Sequence, residues 1–446
     1  MSELTQQTFL QNNASDPALS VTADGGRVLF FVQPDAGDNY GIWAQRYDAN
    51  GVETGAIYQI NTVETDAQTQ PEVTVLNDDR ILVTWVSGIA NGIGEVRGRI
   101  LDANGNLVLG SEDFLITPAD TTANYARDQE VTALADGGFV AVWSESHDDT
   151  SLRGIYGQRF DSTGTPAGDD FRIRDPQFNG EGEAEVLALA GGGFVVTWSD
   201  GAGLWGSDAT GGIFGQMYDA AGAPVGSEFH VNTTTDEEQE QSQMLALADG
   251  GFMVFWLHDD NPQDLRFQRY DADGTTVGTE RVLATDVAVR HYQEAAGDWK
   301  VITLEGGGLA ALWRTSLSSN EFHVQSFDLD GTAITGVATI NSRQGSFDNS
   351  THYTADIDQL PDGQLIVTWE YENSAGFGEI YTQTIDAPPA VADLDGPRQL
   401  LPTTLIASDP ALSVTADGGR VLFFVQPDAG DNYGIWAQRY DANGVE

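Results

Sequence analysis

A unit of about 56 residues recurs along this chain, and the recurrence restricts the fold more than any other feature. Its two markers are an aromatic that closes an apolar run and an Asp that opens a Gly turn. The aromatic falls at Phe31, Trp85, Trp143, Trp198, Trp256, Trp313, Trp369 and Phe424. The Asp falls at Asp48, Asp102, Asp161, Asp219, Asp271, Asp328, Asp386 and Asp441. Each series advances 393 residues in seven steps. The forty residues Ala14 to Glu53 return letter for letter as Ala407 to Glu446, again 393 residues later.

Each unit reads as four short strands, A to D. Strand B, as in GFVAVW, GFVVTW or GFMVFW, is apolar on both faces. That suits a strand packed between two neighbouring sheets. Gly pairs such as Gly137-Gly138, Gly192-Gly193 and Gly250-Gly251 link A to B and supply a tight hairpin. Asp-x-x-Gly turns link C to D, with Gly at a left-handed position. No helical apolar period appears. Four-stranded units at even spacing with one Trp each predict an all-β chain, a single β-propeller over residues 1–446.

The ends bear on the blade count. Thr8 to Gln11 aligns with the strand D segment Ile57 to Gln59. The C-terminal copy supplies strands A, B and C and stops before its strand D. Pairing Thr8–Gln11 with the strand at 434–441 would complete an eighth blade from both termini and remove two sheet edges. Eight blades are favoured on this reading. A seven-bladed ring made from one period is the alternative, with Arg398 to Leu401 as strand D of the seventh unit. The identical ends also predict that a mainly monomeric chain could exchange blades between copies and polymerise.

The formal charge is −48, with Lys300 the one lysine. Such acidity argues against nucleic acid and anionic membrane as partners. No apolar run is long enough to cross a membrane. Acidity of this degree fits a salty or calcium-rich exterior that screens self-repulsion. There is no Cys, which excludes disulfides, thiolate zinc and Cys nucleophiles. The N-terminus lacks the basic and apolar regions of a Sec signal peptide, so an exported protein would carry its signal elsewhere.

The six His residues form no HxH or HExxH spacing, and no G-x-S-x-G, Walker or Asp-box motif occurs. Calcium is the chemical candidate, because hard cations take carboxylates on Gly/Asp loops. The B–C loops offer Asp35, Asp38, Asp148, Asp149, Asp200, Asp208, Asp259 and Asp260. The D–A loops add Asp66, Asp236, Glu237 and Glu238. In an up-and-down blade both loop sets emerge on one face. For glycan stacking the candidates are Trp205, in a Gly-rich loop outside the repeat, with Tyr40 and Phe377 in comparable loops. The strand Trp residues are expected to pack between blades. The repeated Gln-Arg-aromatic-Asp signature is expected to be scaffold, its Arg reaching a carboxylate on a neighbouring blade.

The run DGGFVAVWSE…GIYGQRFDSTGTPAGDDFRI resembles repeats of very large bacterial secreted proteins of the RTX, haemolysin-type calcium-binding class. The resemblance covers about residues 15–446. It implies an extracellular or cell-surface setting and an adhesive or structural module. The nonapeptide GGxGxDxUx is absent, so the calcium sites of that class transfer to no residue here. The leading expectation is a non-enzymatic adhesion or spacer module that meets a protein or glycan surface. A lectin-like propeller is one alternative. A polysaccharide hydrolase or lyase with an acidic central pocket is the other.

Overall fold

The structure is a computed structural model that describes residues 15–440 apart from 25, 35–39, 49–51, 64–65, 89–93, 109–111, 119–123, 148–152, 175–181, 201–211, 260–261, 289–298, 316–320, 342–354, 360–362, 373–377, 386–397, 400–407, 415–419 and 428–432. Among the described residues every regular element is a strand, and there is no helix. Among the described residues eight antiparallel sheets follow one another along the chain, seven of four strands and the last of three. Within each sheet the strands lie in chain order, A-B-C-D. The protein is all-β and of the β-propeller class.

The A strands are Ser15–Val21, Gln68–Val75, Asn124–Ala133, Gly182–Ala188, Gln239–Ala246, Trp299–Thr303, Ala355–Gln359 and Ser408–Val414. The B strands are Arg27–Pro34, Ile81–Ser87, Phe139–His147, Phe194–Asp200, Phe252–His258, Leu309–Arg314, Leu365–Glu372 and Arg420–Pro427. The C strands are Tyr40–Tyr47, Glu95–Leu101, Arg153–Phe160, Gly212–Tyr218, Gln263–Tyr270, Glu321–Phe327, Gly378–Ile385 and Tyr433–Tyr440. Seven D strands complete the set: Glu53–Gln59, Phe114–Leu115, Phe171–Arg174, Pro224–His230, Thr276–Val287, Ala338–Asn341 and Arg398–Gln399. Strand D of the seventh sheet thus lies at the position expected from sequence, pairing Gln399 with Tyr381. Thr8–Gln11, expected to complete the eighth sheet, lies outside the described residues.

The chain divides into two compact units. One is Ser20–Arg46 with Thr54–Ala284, and the other is Met1–Leu19, Tyr47–Glu53 and Thr285–Glu446. Both are built by the same packing. The B strands are buried on both faces, as in the continuous burial of Ile81–Ser87 and Phe252–His258. Their alternate residues enter different cores. Phe139, Ala141 and Trp143 face the second sheet's Leu82, Val96 and Ile116, while Val140 and Val142 face the fourth sheet's Val196 and Trp198. In the other unit Ala310, Leu312 and Phe322 meet Ile357, Leu365 and Val367. Trp85, Trp143, Trp198 and Trp256 are fully buried and Trp313 nearly so, which is the packing role expected of them. Full burial of one such ring contributes about 3 kcal/mol or more.

The turns explain their own residues. Gly192 takes φ of 89°, the left-handed region that a Cβ disfavours. Gly193 is needed for space, because a Cβ there would collide with the carbonyl of Tyr218. At the C–D turn Asp219 Oδ1 accepts the amides of Ala221 at 2.8 Å and Ala223 at 2.9 Å, closing an Asx turn before Gly222. The same pair of bonds recurs at Asp102, Asp161, Asp271 and Asp328. The Gln-Arg signature is scaffold, with one correction. Arg159 and Arg269 pair with Asp136 at 2.8 Å and Asp249 at 2.6 Å, in the A–B turns of their own sheets rather than on a neighbour. The hairpin brings the A–B turn beside the end of strand C, so the nearest carboxylate is local.

Candidate functional site

The candidate site comes from one register position in the A strands. Counting four residues back from the buried Leu that follows each strand (Leu76, Leu134, Leu189 and Leu247) gives Glu72, Glu130, Glu185 and Gln243. Their cross-strand partners in strand B are Thr84, Val142, Thr197 and Phe255, again one equivalent position. The first three therefore present one carboxyl each from successive sheets of one unit.

A backbone irregularity precedes each of these residues. The A–B register slips between Thr69 and Glu72, between Val142 and Ser144, between Gly182 and Glu185, and between Glu240 and Gln243. Three non-glycine residues in the slips are left-handed: Gln70 at φ 53°, Asp128 at 51° and Gln241 at 54°. These are β-bulges, which add one residue and re-aim the side chains that follow. Left-handed non-glycine backbone costs about 1 kcal/mol or more per residue. Here that strain lies two residues before each of Glu72, Glu130 and Gln243.

The carboxyls sense one another. Glu130 is half-buried, and its pKa is held well above the ordinary carboxylate range. Desolvation is the main cause, followed by the charges of Glu185, Glu72 and Asp128. Glu72 keeps solvent exposure, yet surrounding protein desolvates its carboxyl enough to push it up to about 7. Like charges oppose one another's ionisation, so Glu130 gives up its proton less readily than an isolated carboxyl.

The other unit fills the same register position differently. Lys300 and Asp356, opposite Leu312 and Thr368, form an ion pair of 2.5 Å. Asp358, two residues further on, is raised by burial first and by Asp356 second.

Three of the expected site residues, Tyr40, Asp200 and Asp259, are among the described residues. Asp35, Asp38, Asp148, Asp149, Asp208, Asp260, Trp205 and Phe377 lie outside the described residues. Tyr40 begins a C strand and is 40% exposed. Asp200 ends a B strand opposite Gly212. The amide of Asp259 donates to Glu238 O at 2.9 Å, and Oδ1 of Asp259 accepts from Gln263 at 3.3 Å. Among the described residues no three His, Asp or Glu side chains converge to hold a metal ion.

In the D–A linkers of the unit that carries the glutamates, carboxylates accept backbone amides. Glu280, from strand D of the fifth sheet, accepts Thr233 N at 2.6 Å, Thr233 Oγ1 at 2.7 Å, Thr234 N at 3.0 Å and Arg266 Nη1 at 2.9 Å. These bonds hold its carboxyl down at about 2, although burial acts against them as the largest single influence. Asp113 does the same for Thr62 N and Val63 N in the linker before the second sheet. The neighbouring Asp236 and Glu237, named as calcium candidates, present backbone carbonyls to Gln239 Nε2, each at 2.9 Å.

No protein-family model matches the chain, and no curated protein is similar to it in sequence. Solved structures with a similar chain path include the NanB sialidase of Streptococcus pneumoniae, at 12% identity and a TM-score of 0.44, covering 94% of this chain and 84% of that one. They also include an endo-arabinase of Bacteroides thetaiotaomicron, at 13% identity and a TM-score of 0.33, covering 63% of this chain and 96% of that one. A thermostable family-43 glycoside hydrolase, at 13% identity and a TM-score of 0.34, covers 61% and 95%. Against the expectation of a non-enzymatic module, the solved structures with a similar chain path are a sialidase, an endo-arabinase and a glycoside hydrolase.

Sequence reasoning missed Glu72, Glu130 and Glu185. The signal was available as a column in the repeat alignment that reads Ala18, Glu72, Glu130, Glu185, Gln243, Lys300, Asp356 and Ala411. Polar and charged residues vary there while the flanking positions stay mostly apolar or small.

Proposed function

We propose that this chain is a glycan hydrolase that works through the glutamate cluster of its second to fourth sheets. The observation that carries the reading is Glu130, desolvated and flanked by the carboxyls of Glu72 and Glu185. A carboxyl held protonated beside an ionised one is the pairing that glycosidic cleavage uses. Glu130 would give its proton to the departing glycosidic oxygen as the C–O bond breaks. Glu185, its strongest charged neighbour, would support the positive charge at the anomeric carbon and draw a proton from the incoming water. Glu72, open to solvent, would keep the shared proton on Glu130 by like-charge repulsion. The acid–base roles rest on the three glutamates alone.

The test is release of reducing ends from a panel of neutral and acidic polysaccharides. Glu130→Gln, close in shape and without a titratable proton, should lower the rate by about 100-fold or more. Turnover on none of the panel, or full activity in Glu130→Gln, would overturn the reading.

A further inference from the structure

We propose that Gln129 is a positioning residue that fixes Glu130 against Glu72 by tying together the bulges of two neighbouring A strands. The proposal rests on the reading of Glu72, Glu130 and Glu185 as the reacting cluster. Gln129 is 3% exposed, and its Nε2 donates to the carbonyl of Gln70 at 2.8 Å. Gln70 is the left-handed residue of the second sheet's bulge, and Asp128, beside Gln129, is the left-handed residue of the third sheet's. The single bond therefore joins the two strained turns of backbone that aim the glutamates. Glu72 follows one anchor by two residues, and Glu130 follows the other by one.

The repeat scaffold does not call for this glutamine. The equivalent positions in the other sheets are Pro17, Pro71, Ala184, Ser242, Trp299, Ala355 and Pro410. Nor is stability sufficient reason for it. The oxygen end of the same amide is buried without a donor among the described residues, and such an orphan costs roughly what one hydrogen bond returns. Scaffold links between the same two sheets exist elsewhere, as where Asn77 Nδ2 donates to Leu134 O at 2.5 Å. What distinguishes Gln129 is its place at the base of Glu130. Thr74 Oγ1 to Val131 O at 3.2 Å also ties these two A strands, so a freed bulge would loosen only the backbone just before Glu72 and Glu130, and the separation of the carboxyls would shift with it.

The charged groups that act on Glu130 are Glu185, Glu72 and Asp128. The experiment titrates Glu130 in the full chain by carboxyl-carbon NMR, in the unsubstituted protein and in Gln129→Met and Asn77→Ala. Glu130→Gln assigns the resonance. Gln129→Met keeps length and loses the donor, and the expected result is a fall of about half a pH unit or more in the Glu130 midpoint as coupling to Glu72 weakens. Asn77→Ala removes a bond between the same two sheets away from the glutamates and should leave that midpoint in place. An unchanged midpoint in Gln129→Met, or an equal shift in Asn77→Ala, would overturn the proposal. Because this readout needs no substrate, a failure to find hydrolysis would sink the enzymatic reading and leave the positioning role separately decided.

Discussion

The residue that says most about this molecule's electrostatics outside the glutamate cluster is Glu280. Its carboxylate closes the linker of the preceding sheet through three donors and an Arg, and is held at about 2 as a result. A folded value below the unfolded one means that ionised Glu280 stabilises the fold above the ordinary carboxylate pKa, and that this support fades as pH falls towards 2. Glu280→Gln should therefore cost about 2 kcal/mol in urea unfolding at pH 7, with the gap to the unsubstituted protein closing by pH 2. Glu130 has the opposite sign, since its folded value is raised. The unfolded chain releases that proton more readily, so ionising the cluster opposes folding as pH rises past the ordinary carboxylate range. If hydrolysis is found, its rate should also fall on the alkaline side as Glu130 gives up the proton it donates, which a pH–rate profile would record. Glu130 could be found in the sequence only as part of the repeat column it shares with Glu72 and Glu185, and Glu280 not at all. One acidic residue among 68 looks like any other until the partner sheets are in place.

At the scale of strands and turns the sequence was far more explicit. The Gly pairs, the Asp-x-x-Gly turns and the two-sided B strands each have a local cause, so their pattern is readable one unit at a time. The bulges in the A strands were not readable, because Gln70, Asp128 and Gln241 share no residue type that demands left-handed backbone. Their cause is tertiary. The linkers were also obscure. Asn232 is buried, accepts Ile213 N at 2.8 Å, and donates to Thr234 O at 2.7 Å and to Gln239 Oε1 at 2.8 Å. Asn61 repeats this three-way clasp with Ile42 N, Val63 O and Gln68 Oε1. An Asn after strand D looks like ordinary turn chemistry, yet it fastens one sheet to the next. Asn232→Ala should lower stability by about 2 to 3 kcal/mol, since it strands buried partners, with chemical denaturation as the check. Gly193→Ala should also destabilise, because the collision is with backbone and cannot be relieved by a rotamer change.

For the whole molecule, 68 acidic side chains against 20 basic ones give a chain that repels itself. Raising sodium chloride from about 10 mM to about 500 mM shortens the screening length several-fold, and the thermal midpoint should rise accordingly. Scanning calorimetry at the two salt concentrations checks this. The same imbalance leaves Lys300 as the only side-chain amine, held at 2.5 Å by Asp356. A reagent for primary amines will thus mark one side chain, and its acylation rate becomes a clock for how often that ion pair opens. Asp356→Asn should speed the clock, as read by intact-mass spectrometry. A protease that cuts after lysine has one bond to attack, so one side-chain label, resolved from the α-amine of the chain, and a single cut can follow the sixth sheet.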